Sequence, residues 1–511
     1  MPATVFLINF CNERDRYPPF GILYVADALM QQGHRVRIFH ETARGMKAFL
    51  DAVARERPTW VGFSTITGPQ LRPTIEATRA VKAMGIPTVW GGVHATIMPA
   101  DVLNEAYVDF VIVNEGEVTA QEFTAVLLDG GDWATVRGLA WKDADGGIHI
   151  NPERPFIADL DTFRPRWELL GDRIPAYFLR SGPYERAIPV YISRGCPFRC
   201  GFCYNEVVMK RTWRQHSEAF VLEQVRWLQK HYGIDAVDYA DDYLFGRIKA
   251  MQHMVEVVGM PWSGQVRVQL LKPEFVQWMA ATGCQWVNIG AESGSQAVLD
   301  SIHKDQKAEQ IEWGVRNLAQ YAPHIEANLS FIIGLPAETP ADRRMTLDLI
   351  ERLCAINPKA RCSLAIYMPY PGTPLWPDAL RRGYVPPADQ MGWSEFDIHK
   401  GNTPWVDTRE GEVMSDICDI LFVGRSRGHW LLRPYYGLLR WRWRHGFFKW
   451  YVEGAVKRAG GRLIQRVGPL RRLGETLLPR LVTYNANTHK GPTLEPGRVA
   501  AAEGSSASPL L

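Results

Sequence analysis

The sequence contains no stretch of about 18 or more uninterrupted apolar residues, so no segment of it reads as a membrane-spanning helix. Its first ten residues, MPATVFLINF, carry no basic group ahead of the apolar run and read as a buried strand, not a secretory signal. Cysteine is scarce. Eight in 511 residues are too few for a secreted disulfide scaffold, and three of them crowd into residues 196–203, which suggests metal chemistry in a reducing cytoplasm. Neither low hydrophobicity nor excess charge is present: 46% hydrophobic and 22% charged residues exclude a disordered or fibrous chain. The length predicts two to four domains, at about 100–200 residues each. Acidic residues are depleted in one place. Between Leu421 and Arg480 there are 14 Lys and Arg against 2 Asp and Glu, whereas residues 1–420 carry 42 basic and 51 acidic groups. The basic charge belongs to one C-terminal segment, and its partner is to be sought there.

Residues 1–145 alternate short apolar runs with amphipathic helical patterns. Candidate strands are Thr4–Phe10, Arg35–His40, Trp60–Thr65, Thr88–Gly91, Asp109–Val113 and Gly138–Trp141. They are nearly continuous in hydrophobicity, as strands covered on both faces should be. This alternation predicts an α/β fold with a doubly wound, Rossmann-like parallel sheet and a ligand crevice at the strands' C-terminal ends. From Asn151 to about Ile188 prolines accumulate and periodicity fades, so residues 146–188 read as a linker. A second β-α series occupies 189–380, with candidate strands Val190–Ser193, Ala236–Ala240, Gly264–Val268, Trp286–Gly290, Ala327–Ile333 and Ser363–Met368. Six repeats are too few for a closed eight-stranded barrel and predict an open (β/α)6 partial barrel, with chemistry again at the C-terminal strand ends. Residues 381–484 read as a mostly helical basic region, and 485–511 have the small, polar composition of a disordered tail.

Just past the first strand of the second series stands RGCPFRCGFCYN, in which Cys196, Cys200 and Cys203 have C-x3-C-x2-C spacing. Three thiolates on one loop can hold three irons of a [4Fe–4S] cluster and leave the fourth iron open. A structural zinc site would need a fourth protein ligand, and the next candidate, His216, is too far along the chain for a tight ligand pair. The segment resembles the signature of the radical S-adenosylmethionine superfamily. That resemblance implies that the open iron chelates the amino and carboxylate groups of S-adenosylmethionine, with Phe202 beside the adenine. Asp241 and Asp242, in VDYADDYLF, match the family's carboxylates at the amino end of the cofactor. Glu292, in NIGAESGS, matches a polar contact to its ribose or methionine part, and Gly334, in FIIGLPAET, matches the strand-end glycine where backbone approaches the adenine. Arg267 and Tyr367 are weaker candidates for catalytic contacts to cofactor and substrate, with ordinary packing as the other reading. Cys11, Cys284, Cys354 and Cys362 read as buried free thiols, and Cys418 has no clear role.

In the front region the loops PPFG, STITG, GGVHATIMP and VNEGE resemble the cobalamin-binding domain carried by one large radical S-adenosylmethionine subgroup. The resemblance implies cofactor contacts from Ser64, Thr65, Thr67, Gly68, Gly91, Gly92, His94, Glu115 and Gly116. Hydroxyls can bond the nucleotide tail or corrin amides, and glycines let backbone approach a bulky flat ligand. One departure stands out: no D-x-H-x-x-G run is present. His94 therefore reads as a loop residue near the nucleotide tail, with a cobalt ligand as its alternative.

The likeness covers about residues 3–380 and implies three cofactors: a [4Fe–4S] cluster, S-adenosylmethionine and cobalamin. The function it implies is a cobalamin-dependent radical methyltransferase. A 5′-deoxyadenosyl radical abstracts hydrogen from an unactivated carbon, which then receives a methyl group from methylcobalamin. The same architecture also resembles the anaerobic cyclase of the chlorophyll pathway, so ring formation is the alternative. A cobalamin sensor would not need the three cysteines, and an RNA-modifying enzyme would carry an appended RNA-binding domain that is not recognisable here. The expected partners are a small-molecule substrate and an electron donor such as flavodoxin or ferredoxin; nucleic acid is not expected. A cytoplasmic location is expected. Residues 429–473 interleave Trp, Tyr, Phe and Leu with Arg and Lys, which suits a helix lying in a membrane interface. An amphipathic helix packed on the barrel is the other reading.

Overall fold

A computed structural model describes residues 2–12, 17–401, 403–423 and 433–451, which form two compact units. The first runs to Phe178 and also takes in Ala388–Glu395; the second holds Leu179–Pro387 and the described residues from Phe396 onward.

The first unit is a seven-stranded sheet of order β2-β1-β3-β4-β5-β6-β7. Its strands are β1 Thr4–Phe10, β2 Arg35–Glu41, β3 Trp60–Ser64, β4 Thr88–Gly91, β5 Phe110–Ile112, β6 Leu139–Lys142 and β7 Ile148–Ile150. β1 to β5 are parallel, in the order expected of a doubly wound sheet, so the winding direction reverses between β1 and β3 and opens a crevice at their C-terminal ends. The apolar strands are covered on both faces. Val5, Leu7, Trp60 and Val89 pack with Ile22 and Leu29 of the helix Phe20–Gln31 and Phe123 of the helix Glu117–Asp129.

Two features differ from the sequence reading. The run at 138–141 forms a strand, but antiparallel, because the hairpin β6–β7 folds back on the sheet edge. Residues 146–188 are not a free linker: β7 lies in this stretch, and Trp167 and Tyr177 are buried in the first unit. Trp167 meets Phe20 edge-on at 5.5 Å, and the Tyr177 hydroxyl lies 2.8 Å from His40 Nδ1, so burial of these rings holds a proline-rich segment in place.

The second unit is a sheet of order β16-β15-β14-β13-β12-β9-β8. After β8 Leu179–Ser181 come β9 Tyr184–Val190, the small pair β10 Ser193–Gly195 and β11 Trp213–Gln215, then β12 Ala236–Tyr239, β13 Trp262–Val266, β14 Cys284–Glu292, β15 Glu326–Ile333 and β16 Ala360–Ile366. The six strands β9 and β12–β16 are parallel and β8 is antiparallel to β9. This is the open six-repeat barrel expected. Its first strand lies earlier than the sequence suggested, at 184–190, so the cysteine loop follows the hairpin strand β10 and not the barrel strand itself.

The described part of the basic C-terminal segment contains a helix, Arg433–His445. Trp443 is fully buried and its indole N–H donates to Leu347 O at 3.0 Å, on the barrel helix Pro340–Ile356. Arg444 forks onto both oxygens of Glu351, so part of the basic charge is spent on docking. Residues 424–432 and 452–511, including the rest of the expected membrane segment and the tail, lie outside the described residues. Among the described residues no helix is long and apolar enough to cross a membrane.

Candidate functional site

The three cysteines of the loop are each half-buried and unbridged, at the end of β10. Gly201, between the second and third, is pinned from both sides: its N–H donates to Ile302 O at 2.8 Å and its carbonyl accepts from Leu375 N at 3.0 Å. Burial pushes the Cys203 thiol up to about 12 and raises Cys196 as well, so without metal these sulfurs stay protonated, and metal binding must displace the protons. No group of three or more Cys, His, Asp or Glu among the described residues closes on a single metal ion. A [4Fe–4S] cluster takes one iron per thiolate, and three thiols on one loop suit it. The other five thiols are apart from this loop. Cys11, Cys284, Cys362 and Cys418 are buried, and Cys354 lies with its sulfur 3.6 Å from that of Cys362.

The acidic pair after β12 divides its labour. Asp241 is buried and accepts from the backbone of Ile192 and from both the N–H and hydroxyl of Ser193, bracing the approach to the cysteine loop. Burial raises its carboxyl to about 7 against the pull of those bonds. Asp242 is the partner that senses the sulfurs, since its charge acts on both Cys196 and Cys203. Its own carboxyl is raised by burial and held down by a hydrogen bond from the Asn205 side chain. Asn205 Oδ1 is buried with no hydrogen-bond partner among the described residues. A carboxylate and an orphaned acceptor beside three thiols form a donor set that suits an ammonium or sulfonium cation, so the residues present fit S-adenosylmethionine.

Glu292 ends β14 at a bulge, in the left-handed region with φ 62°, and its Oε1 accepts from the buried Lys304 ammonium at 2.6 Å. Lys304 carries no motif and was invisible to sequence reasoning. Arg267 lies 3.6 Å above the Phe198 ring and its guanidinium donates to Lys304 O. It therefore braces the cysteine loop. Phe202 lies 6.0 Å from the Lys304 ammonium. Gly334 follows β15 with φ 74°; its N–H donates to Glu338 at 2.7 Å and its carbonyl accepts from the Trp405 indole at 2.9 Å. A side chain there would strike Val406, so only glycine serves. Tyr367 is buried after β16, and its hydroxyl has no hydrogen-bond partner among the described residues.

In the first unit the loop after β3 meets the loop after β4. Thr65 donates to Gly91 O at 2.7 Å, which commits its hydroxyl to the protein, while Ser64 is half-buried and its carbonyl accepts from Asn9. Gly92 has φ 89°, and a Cβ on it would meet Thr65 O at 2.6 Å, which fixes glycine at the crossing of the two loops. Gly68 follows Thr67 at the turn into the helix Leu71–Ala83. His94 is buried, with Nδ1 2.9 Å from the Thr67 hydroxyl and Nε2 2.6 Å from Gln390 Oε1. The amide oxygen accepts only, so Nε2 carries the proton and Nδ1 accepts from Thr67. Burial lowers this imidazole to about 4 and keeps it neutral. Both nitrogens are spent, which corrects the expectation of a direct cofactor contact from His94. Gln390 belongs to a segment that returns from far along the chain, beyond the reach of local motif reading.

Glu115 is likewise engaged by the protein, accepting from Ile157 N at 2.7 Å, and Gly116 caps the helix Glu117–Asp129, where an added Cβ would press on Val25 and Ile112. Asn114 of the same VNEGE loop, to which the sequence assigned no contact of its own, has φ 64°; its N–H donates to Thr96 and its Oδ1 is buried with no partner among the described residues. An orphaned acceptor at a strand end suits an amide N–H, which is what a corrin periphery offers, so the residues of this edge fit cobalamin.

A model of the B12 binding domain matches residues 13–124, and one of the radical SAM superfamily matches residues 190–350. An uncharacterized methyltransferase of Pyrococcus horikoshii is 29% identical over 391 residues, spanning 74% of this chain and 81% of that one. The anaerobic magnesium-protoporphyrin IX monomethyl ester cyclase of Rubrivivax gelatinosus is 27% identical over 378 residues, 70% of this chain and 66% of that one. The solved structure of the radical S-adenosylmethionine methyltransferase TsrM from Kitasatospora setae, with cobalamin and a [4Fe–4S] cluster bound, has the same fold. It superposes with a TM-score of 0.61 at 18% identity over 75% of this chain and 76% of that one.

Two outcomes follow from this geometry. Anaerobically reconstituted protein should hold about one [4Fe–4S] cluster, and replacing Cys196, Cys200 and Cys203 together by Ala should abolish its absorbance; full iron in the triple variant would refute the assignment. Cobalamin bound in the Co(II) state should show no splitting from a protein nitrogen in its electron paramagnetic resonance spectrum, because both His94 nitrogens are engaged. Splitting that disappears in His94→Ala would reverse that conclusion.

Proposed function

We propose that this chain, which belongs to the radical S-adenosylmethionine enzymes with an N-terminal B12 binding domain, is a methyltransferase acting on an unactivated carbon or similar poorly reactive centre. The observation that carries the reading is the pairing, in one chain, of a three-thiol loop with an open acidic side and a second sheet whose cofactor edge offers no free imidazole from His94. Similarity to the Pyrococcus horikoshii methyltransferase supports methyl transfer in particular. When bound, the cofactors supply radical hydrogen abstraction and a transferable methyl group.

The chain's own residues bind and orient. Gly201 fixes the cysteine loop between two hydrogen bonds, Asp242 and Asn205 offer acceptors to a cationic cofactor, and Glu292 offers a carboxylate oxygen to its hydroxyls. Tyr367 ends the barrel wall with an unspent phenol whose proton burial holds firmly, so it donates a hydrogen bond to a polar group of the substrate. Burial of the barrel strands keeps water from the reacting atoms.

Ring closure with the same cofactors is the second reading, favoured by the cyclase relative. Anaerobic turnover of extracts with S-adenosylmethionine carrying an isotopic label in its methyl group separates the two. Methyl transfer yields a product heavier by one labelled CH2 unit, whereas a labelled cofactor consumed with only unlabelled cyclised or oxidised product would establish the cyclase.

The proposed partners are a small-molecule substrate, a low-potential electron donor of the flavodoxin or ferredoxin class, and an anionic membrane surface. Support for the last is the exposure of Leu438, Trp441, Phe447 and Trp450 among the basic residues Arg440 and Lys449. Anionic liposomes should co-sediment the intact protein at low salt and release it at high salt. Protein that stays in the supernatant at low salt excludes this contact.

A further inference from the structure

Along residues 1–420 acidic groups outnumber basic ones, 51 to 42, yet the hairpin that carries the cysteine loop is flanked by cations. Lys210, Arg211 and Arg214 stand together in the run KRTWR, and Arg247 and Lys249 bracket Ile248 in RIK. The two runs meet in the fold. Trp213 of β11 donates its indole N–H to Tyr243 O at 2.8 Å, and Gly246 lies so close to the Trp213 ring that a Cβ there would strike it. Lys210, Arg211, Arg247 and Lys249 are exposed, and Ile248 is 42% exposed among them. Arg211, Arg247 and Lys249 form no ion pair among the described residues. The acidic residues nearest the first run are Glu206, half-buried, and Glu218, which pairs with His253 at 3.2 Å.

Three features of this surface run against local stability. Lys210 and Arg211 are both left-handed, φ 48° and 59°, in a turn closed by Thr212 N–H to Met209 O at 2.8 Å, where Gly, Asn or Asp ordinarily stands. Arg194 and Arg214 face each other directly in the β10–β11 pair, an unfavourable place for like charges. Arg247 and Lys249 begin the helix Ile248–Val258, whose first turn has no acidic residue, at the end where the helix dipole disfavours cations. Such local conflicts gather at functional sites. The surface also adjoins the thiols. Gly195, just before Cys196, passes against Thr212 O with no room for a side chain, and Tyr243 meets Phe198, between Cys196 and Cys200, edge-on at 5.0 Å.

We propose that the basic surface of Lys210, Arg211, Arg247 and Lys249 around Ile248 is the docking site of an acidic, low-potential electron-carrier protein, which delivers its electron across the β10–β11 hairpin. The inference rests on the reading that the three cysteines hold a [4Fe–4S] cluster. One electron passes in each encounter: the reduced carrier is oxidised by one equivalent, the cluster is reduced by one, and no bond is made or broken. Electron transfer weakens steeply with distance, so the carrier must dock beside the cysteine loop. Redox encounters bury little area and are steered by charge, which a basic rim about one exposed apolar side chain suits.

The test uses the full chain with its cluster reconstituted anaerobically, and an acidic flavodoxin and an acidic ferredoxin, each fully reduced, as probes. The variants are the charge reversal Arg211→Glu with Lys249→Glu, the neutral pair Arg211→Gln with Lys249→Gln, and a matched reversal at exposed lysines elsewhere, Lys230→Glu with Lys272→Glu. Iron content, carrier binding by calorimetry and the rate of cluster reduction in stopped flow are measured from low to high salt, with photoreduced deazariboflavin as an uncharged small reductant. Reversal at 211 and 249 should keep the iron and the deazariboflavin rate. It should weaken carrier binding and slow reduction by the carrier at low salt about ten- to hundredfold, a difference that closes as salt rises. The neutral pair should lose less in the same direction, and the matched reversal should stay near the wild-type rate. Carrier rates unchanged in both variants at 211 and 249, equal losses in the matched reversal or with deazariboflavin, or no reduction of the wild-type cluster by either carrier would overturn the proposal. Binding of phosphatidylglycerol vesicles that the reversal abolishes, with carrier rates kept, would assign the surface to lipid instead. Failure of the wild-type chain to take up iron would remove the cluster reading on which the proposal rests.

Discussion

The peptide hydrogen bonds on either side of Gly201 hold the cysteine loop to two separate parts of the barrel, through Ile302 O and Leu375 N. A loop carrying three thiols in eight residues has little internal structure to fix it, and a cluster held by three sulfurs tolerates small displacement at best. The N–H and C=O at one position are strong, obligatory groups, and satisfying both from outside the loop clamps it at its midpoint. Arg267 over Phe198 adds a second clamp at the loop's start. Everything else described at the site is arranged around this immobility. The strap of residues 302–306 is bent because Ile302 must reach Gly201 while Lys304 reaches Glu292, and Leu375 N is placed by the turn that leads into the helix Trp376–Arg381.

Charge at the site follows from the same demand for a dry, fixed surround. Three carboxylates, Asp241, Asp242 and Glu292, lie within the barrel mouth, and each is stabilised differently. Asp241 takes backbone and hydroxyl donors from Ile192 and Ser193, Asp242 takes one amide from Asn205, and Glu292 takes an ammonium. Buried ion pairs contribute little net stability after desolvation, so the pair Lys304–Glu292 is better understood as fixing geometry than as strengthening the fold. Asp242, whose one donor is a neutral amide, is the carboxylate whose charge reaches the sulfurs. That distribution concentrates negative potential where a cationic cofactor would enter.

Much of this was legible in the sequence, for a physical reason. Strands covered on both faces must be continuously apolar, so β1, β3, β4 and β15 are found within a residue of their observed ends. The C-x3-C-x2-C spacing is a local pattern, as is a glycine closing a strand, and both can be read from neighbouring residues alone. Contacts between distant parts of the chain leave no such pattern. Gln390 reaches His94 across 296 positions, and Lys304 reaches a glutamate in a different element with nothing around it to mark the pairing. Residues 146–188 misled because proline weakens helical and strand periodicity without preventing burial, and Trp167 and Tyr177 pull the segment onto the first unit. Thr65 and Glu115 look like ligands in the sequence since their chemistry suits one, yet the fold had already used their polar atoms.

Each unit, taken by itself, places some of its left-handed residues at or just past the C-terminal ends of parallel strands. In the first these are Gly92 at φ 89° and Asn114 at 64°, just past β4 and β5; in the second, Glu292 at 62° and Gly334 at 74°, at the ends of β14 and β15. A parallel strand must hand its chain to a crossover helix on the sheet's face, and the chain has to turn sharply outside the last ladder bond. Where the turn is left-handed, the peptide planes swing so that an N–H or C=O points across the strand ends and not along the ladder. Asn114 and Glu292 are the informative cases, because neither is glycine and each therefore holds a conformation that costs free energy. Both also present a side-chain oxygen that the protein leaves unbonded, Asn114 Oδ1 and the second oxygen of Glu292. A strained backbone joined to an unspent acceptor is unfavourable on both counts in the isolated chain. A bound group that donated a hydrogen bond to that oxygen would remove one of the two penalties, so strand ends of this kind favour a ligand while the sheet core holds them rigid.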